Sequence, residues 1–158
     1  MARLRAEPKS VFSWGFSLFM GDVPVATMDM AWLREGGAFV WQETEFTLTR
    51  EHLWSGDFLL QTGGQILARA TKPSPLLRRF DIHLGERTLR LEAVSAFTRR
   101  FRLVESDTVV GTVEPDHPFA RRCTVDFPGD LIVPVDVFLF WLVALMWRRA
   151  ANASAASP

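Results

Sequence analysis

Sixteen of the eighteen basic residues in this chain are arginine, and several stand in doublets: Arg78-Arg79, Arg99-Arg100 with Arg102 close behind, and Arg121-Arg122. A guanidinium is a planar, permanently charged fork that grips phosphate or carboxylate oxygens two at a time, so clustered arginines point to anion binding. Lys72 and the first doublet flank Pro73-Ser74-Pro75, and the other doublets each begin a strand. Lys72, Arg78, Arg79, Arg99, Arg100, Arg102, Arg121 and Arg122 are therefore expected on one rim as an anion site. The competing reading pairs them with the eighteen acids of the chain as an ordinary solvated surface.

Other chemistry is thinly supplied. Nucleophilic catalysis by Cys123 needs an exposed, acidified thiol beside a histidine. Cys123 instead shares a strand phase with Val125 and Phe127, which reads as a small buried residue. His52, His83 and His117 lack metal-ligand spacing, and Glu114–Pro118 carries two prolines that mark an exposed turn. The chain has no Gly-rich phosphate loop, nucleophile elbow or paired-carboxylate signature, so neither an enzyme nor a cofactor is expected.

The elements that must position the arginines follow from length and pattern. A chain of 158 residues with 48% hydrophobic content folds as one domain without disulfides or metal. Its formal net charge of zero argues against a nucleic-acid binder, and its single cysteine permits a cytoplasmic location. Residues 1–10 carry Arg3, Arg5, Glu7 and Lys9 without an apolar core, so they are no secretory signal and are expected as an N-terminal extension. Period-two alternation then dominates to residue 127. It begins with Phe12, Trp14, Phe16, Leu18 and Met20 in one phase, turns at Gly21-Asp22, and continues through Ala26, Met28, Met30 and Trp32. Phe39 and Trp41, then Phe46 and Leu48, mark two further strands. Gly63-Gly64 separates Phe58–Leu60 from Ile66, Ala68 and Ala70, and Gly85-Glu86 separates Phe80, Ile82 and Leu84 from Leu89 and Leu91. Phe101 and Leu103, Val109–Val113, and Cys123, Val125 and Phe127 complete a series of about eleven antiparallel strands.

The pattern breaks at Phe127-Pro128-Gly129-Asp130. From Leu131 to Trp147 the only charge is Asp136, and from Val137 every residue is apolar. Pro134 suits the first turn of a helix, Asp136 faces its positive end, and Arg148-Arg149 closes it at about 134–149. A helix apolar on all sides must be enclosed by protein or by lipid. A span needs about twenty apolar residues, and an acid inside one is costly, so enclosure by protein is favoured over a tail anchor through 131–147. Eleven or twelve strands closing into a barrel remove their own edges and leave a lumen that such a helix fills. The fold expected is mainly β: a closed antiparallel barrel over 11–149, with Phe138, Phe140, Trp141 and Trp147 of the helix meeting Phe12, Trp14, Trp32, Phe46 and Phe80. Residues 150–158 are expected as a disordered tail.

A strand series ending in a hydrophobic helix resembles the Tubby C-terminal-like superfamily, which includes the phospholipid scramblases and the plant LURP-one-related proteins. The local likeness lies in Val125-Asp126-Phe127-Pro128-Gly129-Asp130-Leu131, whose Phe-Pro-x-Asp-Leu order before the helix is similar to that of scramblases. The resemblance implies a twelve-stranded barrel around a central helix. It also implies anionic phospholipid as a partner of the basic side chains, with the protein peripheral at a membrane. Scramblases are associated with a calcium-responsive acidic segment here; Asp130 matches one acid and is a weak calcium candidate, whereas Ile132 stands where another would be. A monomeric, non-enzymatic phospholipid-binding domain is expected. A scaffold or regulatory domain without lipid affinity, with an unknown protein partner, and a tail-anchored protein remain the alternatives.

Overall fold

Alternation makes each strand one-sided, and a C-terminal helix apolar on every side gives all of those strand faces a common partner. The computed structural model describes residues 3–10, 14–29, 31–51, 57–74, 77–95, 98–118 and 120–156. Phe12, Met30, His52, Pro75 and residues 157–158 lie outside them. Twelve strands form one antiparallel sheet: β1 (Leu4–Pro8), β2 (Phe16–Met20), β3 (Val23–Met28), β4 (Gly37–Trp41), β5 (Thr44–Arg50), β6 (Phe58–Thr62), β7 (Gln65–Thr71), β8 (Arg79–Leu84), β9 (Arg87–Ala93), β10 (Phe101–Glu105), β11 (Thr108–Pro115) and β12 (Cys123–Asp126). The hydrogen-bonded order is β3-β2-β1-β12-β11-β10-β9-β8-β7-β6-β5-β4. The sheet curls into a nearly closed barrel whose two edges, β3 and β4, face each other across a seam.

Helix α2 (Val133–Ala156) runs through this barrel, buried on every face from Val133 to Trp147. Its rings interlock with those of the wall. Phe140 meets Phe16 edge-on at 5.0 Å, and Trp141 meets Phe58 edge-on at 5.3 Å. Both indoles find acceptors: Trp141 Nε1 donates to the Trp32 carbonyl at 2.8 Å and Trp147 Nε1 to the Arg99 carbonyl at 3.0 Å. Among the described residues no helix is long and apolar enough to cross a membrane, and the segment weighed as an anchor is the enclosed one.

A short helix, α1 (Trp32–Glu35), lies beside the seam. Gly36 ends it at φ 88°, where a Cβ would fall 2.0 Å from the Leu48 carbonyl oxygen. At Gly37 a Cβ would fall 2.2 Å from the Trp32 indole, so glycine lets the ring lie flat on the edge of β4.

Four sequence expectations need correction. The expected N-terminal extension holds a strand, because β1 pairs with both β2 and β12; its two buried apolar positions, Leu4 and Ala6, give too short an alternation to read. Trp32 belongs to α1 rather than to the preceding strand, since Asp29 Oδ1 accepts the backbone N–H of Ala31 and starts a helical turn. Ile66 does not share the inward phase of Ala68 and Ala70. A bulge opposite Leu60/Gln61 adds Leu67 to β7, which leaves Ile66 exposed and packs Leu67 on the core. Finally, α2 does not stop at 149; the alanine-rich residues after Arg149 are good helix formers and carry it to Ala156.

Candidate basic mouth of the barrel

The two ends of the barrel differ in chemistry. At the end where α2 begins, tight turns join the strands, and Asp22, Glu43, Glu86 and Asp107 place an acid in four of the five. At the other end, where α2 leaves the barrel, the connections are longer and arginine-rich.

Strand periodicity explains why those arginines line the mouth. Phe46 and Leu48 face inward on β5, and the next residue in that phase is Arg50; on β7 the sequence Ala68, Ala70 leads in the same way to Lys72. Arg78, Arg99 and Arg121 hold the same phase two residues before the buried Phe80, Phe101 and Cys123. Where the inward face of the barrel emerges into solvent, apolar residues give way to cations.

Their aliphatic stems and charged heads rest on the uppermost rings of the core. Arg50 sits 5.6 Å from the Phe58 ring centroid, Lys72 5.1 Å from Phe80, Arg78 5.4 Å from Phe101 and Arg121 5.1 Å from Trp14. Arg78 also donates to the Thr98 carbonyl at 3.0 Å, and Arg99 to that of Ala120 at 3.2 Å. From the helix, Arg149 reaches 6.0 Å from the Phe58 ring.

These charges repel one another. Burial lowers the pKa of Lys72, with further lowering by Arg149 and Arg78. Arg121 is lowered by burial and then by Arg99, and Arg149 by burial and then by Arg50. Crowding on one side lowers Arg149 even though the residue is exposed overall.

Of the eight residues expected on the rim, Lys72, Arg78, Arg99 and Arg121 come together at the mouth. The other four do not. Arg79, Arg100, Arg102 and Arg122 take the opposite phase and lie on the outer wall among acids. Arg79 pairs with Asp81 at 3.1 Å, Arg100 grips Glu114 through two bonds of 2.7 and 2.9 Å, and Arg102 bonds Glu92 at 3.2 Å. Arg122 stands 4.0 Å from Glu7. Each doublet is therefore split, one member at the mouth and the other on the wall. Sequence reasoning missed Arg34, Arg50, Arg148 and Arg149 as members of the mouth.

Two openings flank α2 as it leaves the barrel. One, of about 310 Å³, is lined by Arg34, Arg50, Arg148 and Arg149 above Phe58 and Trp141. The other, of about 290 Å³, lies between Arg78, Arg99 and the Trp147–Ser154 face of the helix. Among the described residues, no acid lines either one.

Asp130 sits at the opposite end, where its Oδ2 accepts Arg87 Nη1 at 2.8 Å while Arg87 also grips Glu105. A guanidinium thus occupies the carboxylate weighed for calcium, and no group of three or more potential metal ligands occurs among the described residues. Glu114–Pro118 closes β11 and runs into an exposed turn, as its prolines indicate.

Cys123 is fully buried between Ala6 and Pro115 on the neighbouring strands, and burial first, then Asp116, pushes its pKa up to about 12. Iodoacetamide at pH 8 is expected to leave the folded chain unmodified and to alkylate it once urea unfolds it. Rapid labelling of the folded protein would contradict this burial.

Compared with protein-family models, curated proteins and solved structures, the chain matches none.

Proposed function

We propose that this chain is a non-enzymatic binding module that docks mouth-first on anionic, phosphate-bearing lipid headgroups, as a monomer peripheral to the membrane. The observation that carries this reading is the inward phase of at least five strand columns ending in a cation at one mouth. Like charges held this close weaken the fold unless an anion offsets them. The polarity of the barrel supports the same orientation, because the acid-bearing turns at the far end are repelled by an anionic surface while the mouth is attracted. The twelve strands and central helix also agree with what the resemblance to Tubby-like barrels implies, and we propose membership of that superfamily on this ground.

Co-sedimentation tests the reading. At low ionic strength the protein is expected to pellet with phosphatidylcholine vesicles containing phosphatidylglycerol and to stay in the supernatant with phosphatidylcholine alone. Raising the salt should release it, because exposed charges beyond roughly 10 Å are screened at about 0.1 M. Equal recovery with both vesicles, or none with either, would remove the proposal.

A further inference from the structure

We propose that the opening between α1, β5 and the end of α2 is a receptor for one terminal phosphate monoester. This rests on the mouth being an anion-binding surface and narrows what it selects. Arg34, Arg50, Arg148 and Arg149 converge there from three separate elements, and among the described residues no acid lines it. Among the described residues, none of the four has a carboxylate within ion-pair distance, in contrast to Arg79, Arg100 and Arg102 on the wall.

The site is built on the core rather than on loose loops. Arg50 and Arg149 share one ring, Phe58, at 5.6 and 6.0 Å. The Trp141 floor is tied by its indole N–H to the Trp32 carbonyl at 2.8 Å, which also accepts the Gly36 N–H at 3.1 Å. One side of the opening and its floor thus hang from a single acceptor on α1, and Gly36, which lines the opening, has no room for a Cβ against the Leu48 carbonyl oxygen.

Charge and shape select the ligand class. A phosphodiester headgroup brings one negative charge and two free oxygens, which leaves most of four forked cations unsatisfied. A monoester brings about −1.5 to −2 charges and three terminal oxygens near neutral pH, enough to engage several guanidinium forks together. An opening of about 310 Å³ admits such a group. The monoester can be carried by a lipid, as in phosphatidic acid, or by a free metabolite.

Vesicles of phosphatidylcholine doped with phosphatidic acid, or with phosphatidylglycerol to the same surface charge, test the proposal alongside calorimetric titration with glycerol 3-phosphate. The wild-type chain is expected to bind phosphatidic acid about tenfold more tightly, the difference made by one or two additional charge-assisted hydrogen bonds. Arg34→Gln with Arg50→Gln should level the two affinities, while Arg100→Gln on the outer wall keeps the preference. Arg34 and Arg50 are exposed, and neutralising them relieves repulsion, so unchanged thermal melting identifies a folded variant. Equal wild-type affinity for the two charge-matched vesicles overturns the monoester site and leaves mouth-first docking standing. If neither vesicle binds, docking on lipid falls. Glycerol 3-phosphate then decides the pocket: heat that disappears in the double variant supports a free ligand, and no heat from the wild-type chain overturns the site.

Discussion

Replacing Arg50 and Arg149 together with glutamate is expected to abolish recovery of the protein on anionic vesicles. Each reversal changes the mouth by two charges, four in all. A basic residue near an anionic leaflet contributes about 1 kcal/mol, so the loss is about 4 kcal/mol, or roughly a thousandfold in affinity. Both positions are exposed, and both lie on the single ring of Phe58 where the charges repel. Folding should therefore be spared, as unchanged near-UV circular dichroism and melting will report. A charge-matched change on the outer wall, Arg100→Glu with Arg122→Glu, reverses side chains facing Glu114 and Glu7 and should leave binding within a fewfold of wild type. Parallel losses in the two variants would mean that overall charge, rather than the mouth, draws the protein to the surface. Because exposed charges are screened by salt, the gap between wild type and reversal should narrow as ionic strength rises.

The strands and the helix were legible because their periods are one-sided: inward Phe16, Leu48, Phe80 and Phe101 each sit in a clean alternation, and Val137–Trp147 has no polar face at all. What was not legible depends on contacts far away in sequence. β1 becomes an interior strand only because β2 and β12 flank it, and nothing within Leu4–Pro8 announces those neighbours. The bulge that exposes Ile66 is likewise a property of the β6–β7 pair. Two related bulges turn Pro24 of β3 and Val109 of β11 outward, so an alternation carried toward the turn from Ala26 and Met28, or from Gly111 and Val113, predicts the wrong face at each of these residues.

The candidate site was half legible for a specific reason. Doublets attract attention, yet a strand sends adjacent residues to opposite faces, so a doublet can give only one member to the mouth. Parity carries the missing information. Arg78, Arg99 and Arg121 continue the phases of Phe80, Phe101 and Cys123, whereas Arg79, Arg100 and Arg122 do not. The same rule applied to Phe46 and Leu48 reaches Arg50, a single arginine that no doublet marks. Arg34 obeys no such rule, since it is placed by α1, which forms where the barrel fails to close.

Substituting Asp136 with asparagine is expected to remove a pH dependence built into the opposite end of the barrel. Asp136 is fully buried at the start of α2, with Arg3 Nε 3.1 Å from Oδ2 and neither carboxylate oxygen hydrogen-bonded. Desolvation is the larger influence and pushes its pKa from an ordinary 3.8 up to about 7, although the charge of Arg3 pulls it down. Between those two values the folded chain keeps a proton that the unfolded chain has lost, so raising the pH favours unfolding. The contribution is complete below about pH 3.8 and gone above about pH 7. A gap of this size corresponds to about 4 kcal/mol across the window. Urea unfolding of the wild-type chain should therefore show a midpoint that falls between pH 5 and pH 8 more steeply than that of Asp136→Asn. Loss of one partner from a buried pair is normally costly, but Arg3 retains a bond to the Pro128 carbonyl at 2.9 Å and a side chain 20% open to water. The variant is accordingly expected to be more stable than wild type at pH 8, by about 1–3 kcal/mol once the unmet amide of asparagine is set against the relieved charge. Arg3→Met tests the same pair from the other side. Without the cation the carboxyl holds its proton to still higher pH, so stability at pH 8 should drop and be restored when Asp136→Asn is added. Parallel pH profiles for wild type and Asp136→Asn would show that the buried carboxyl does not take up its proton in this range.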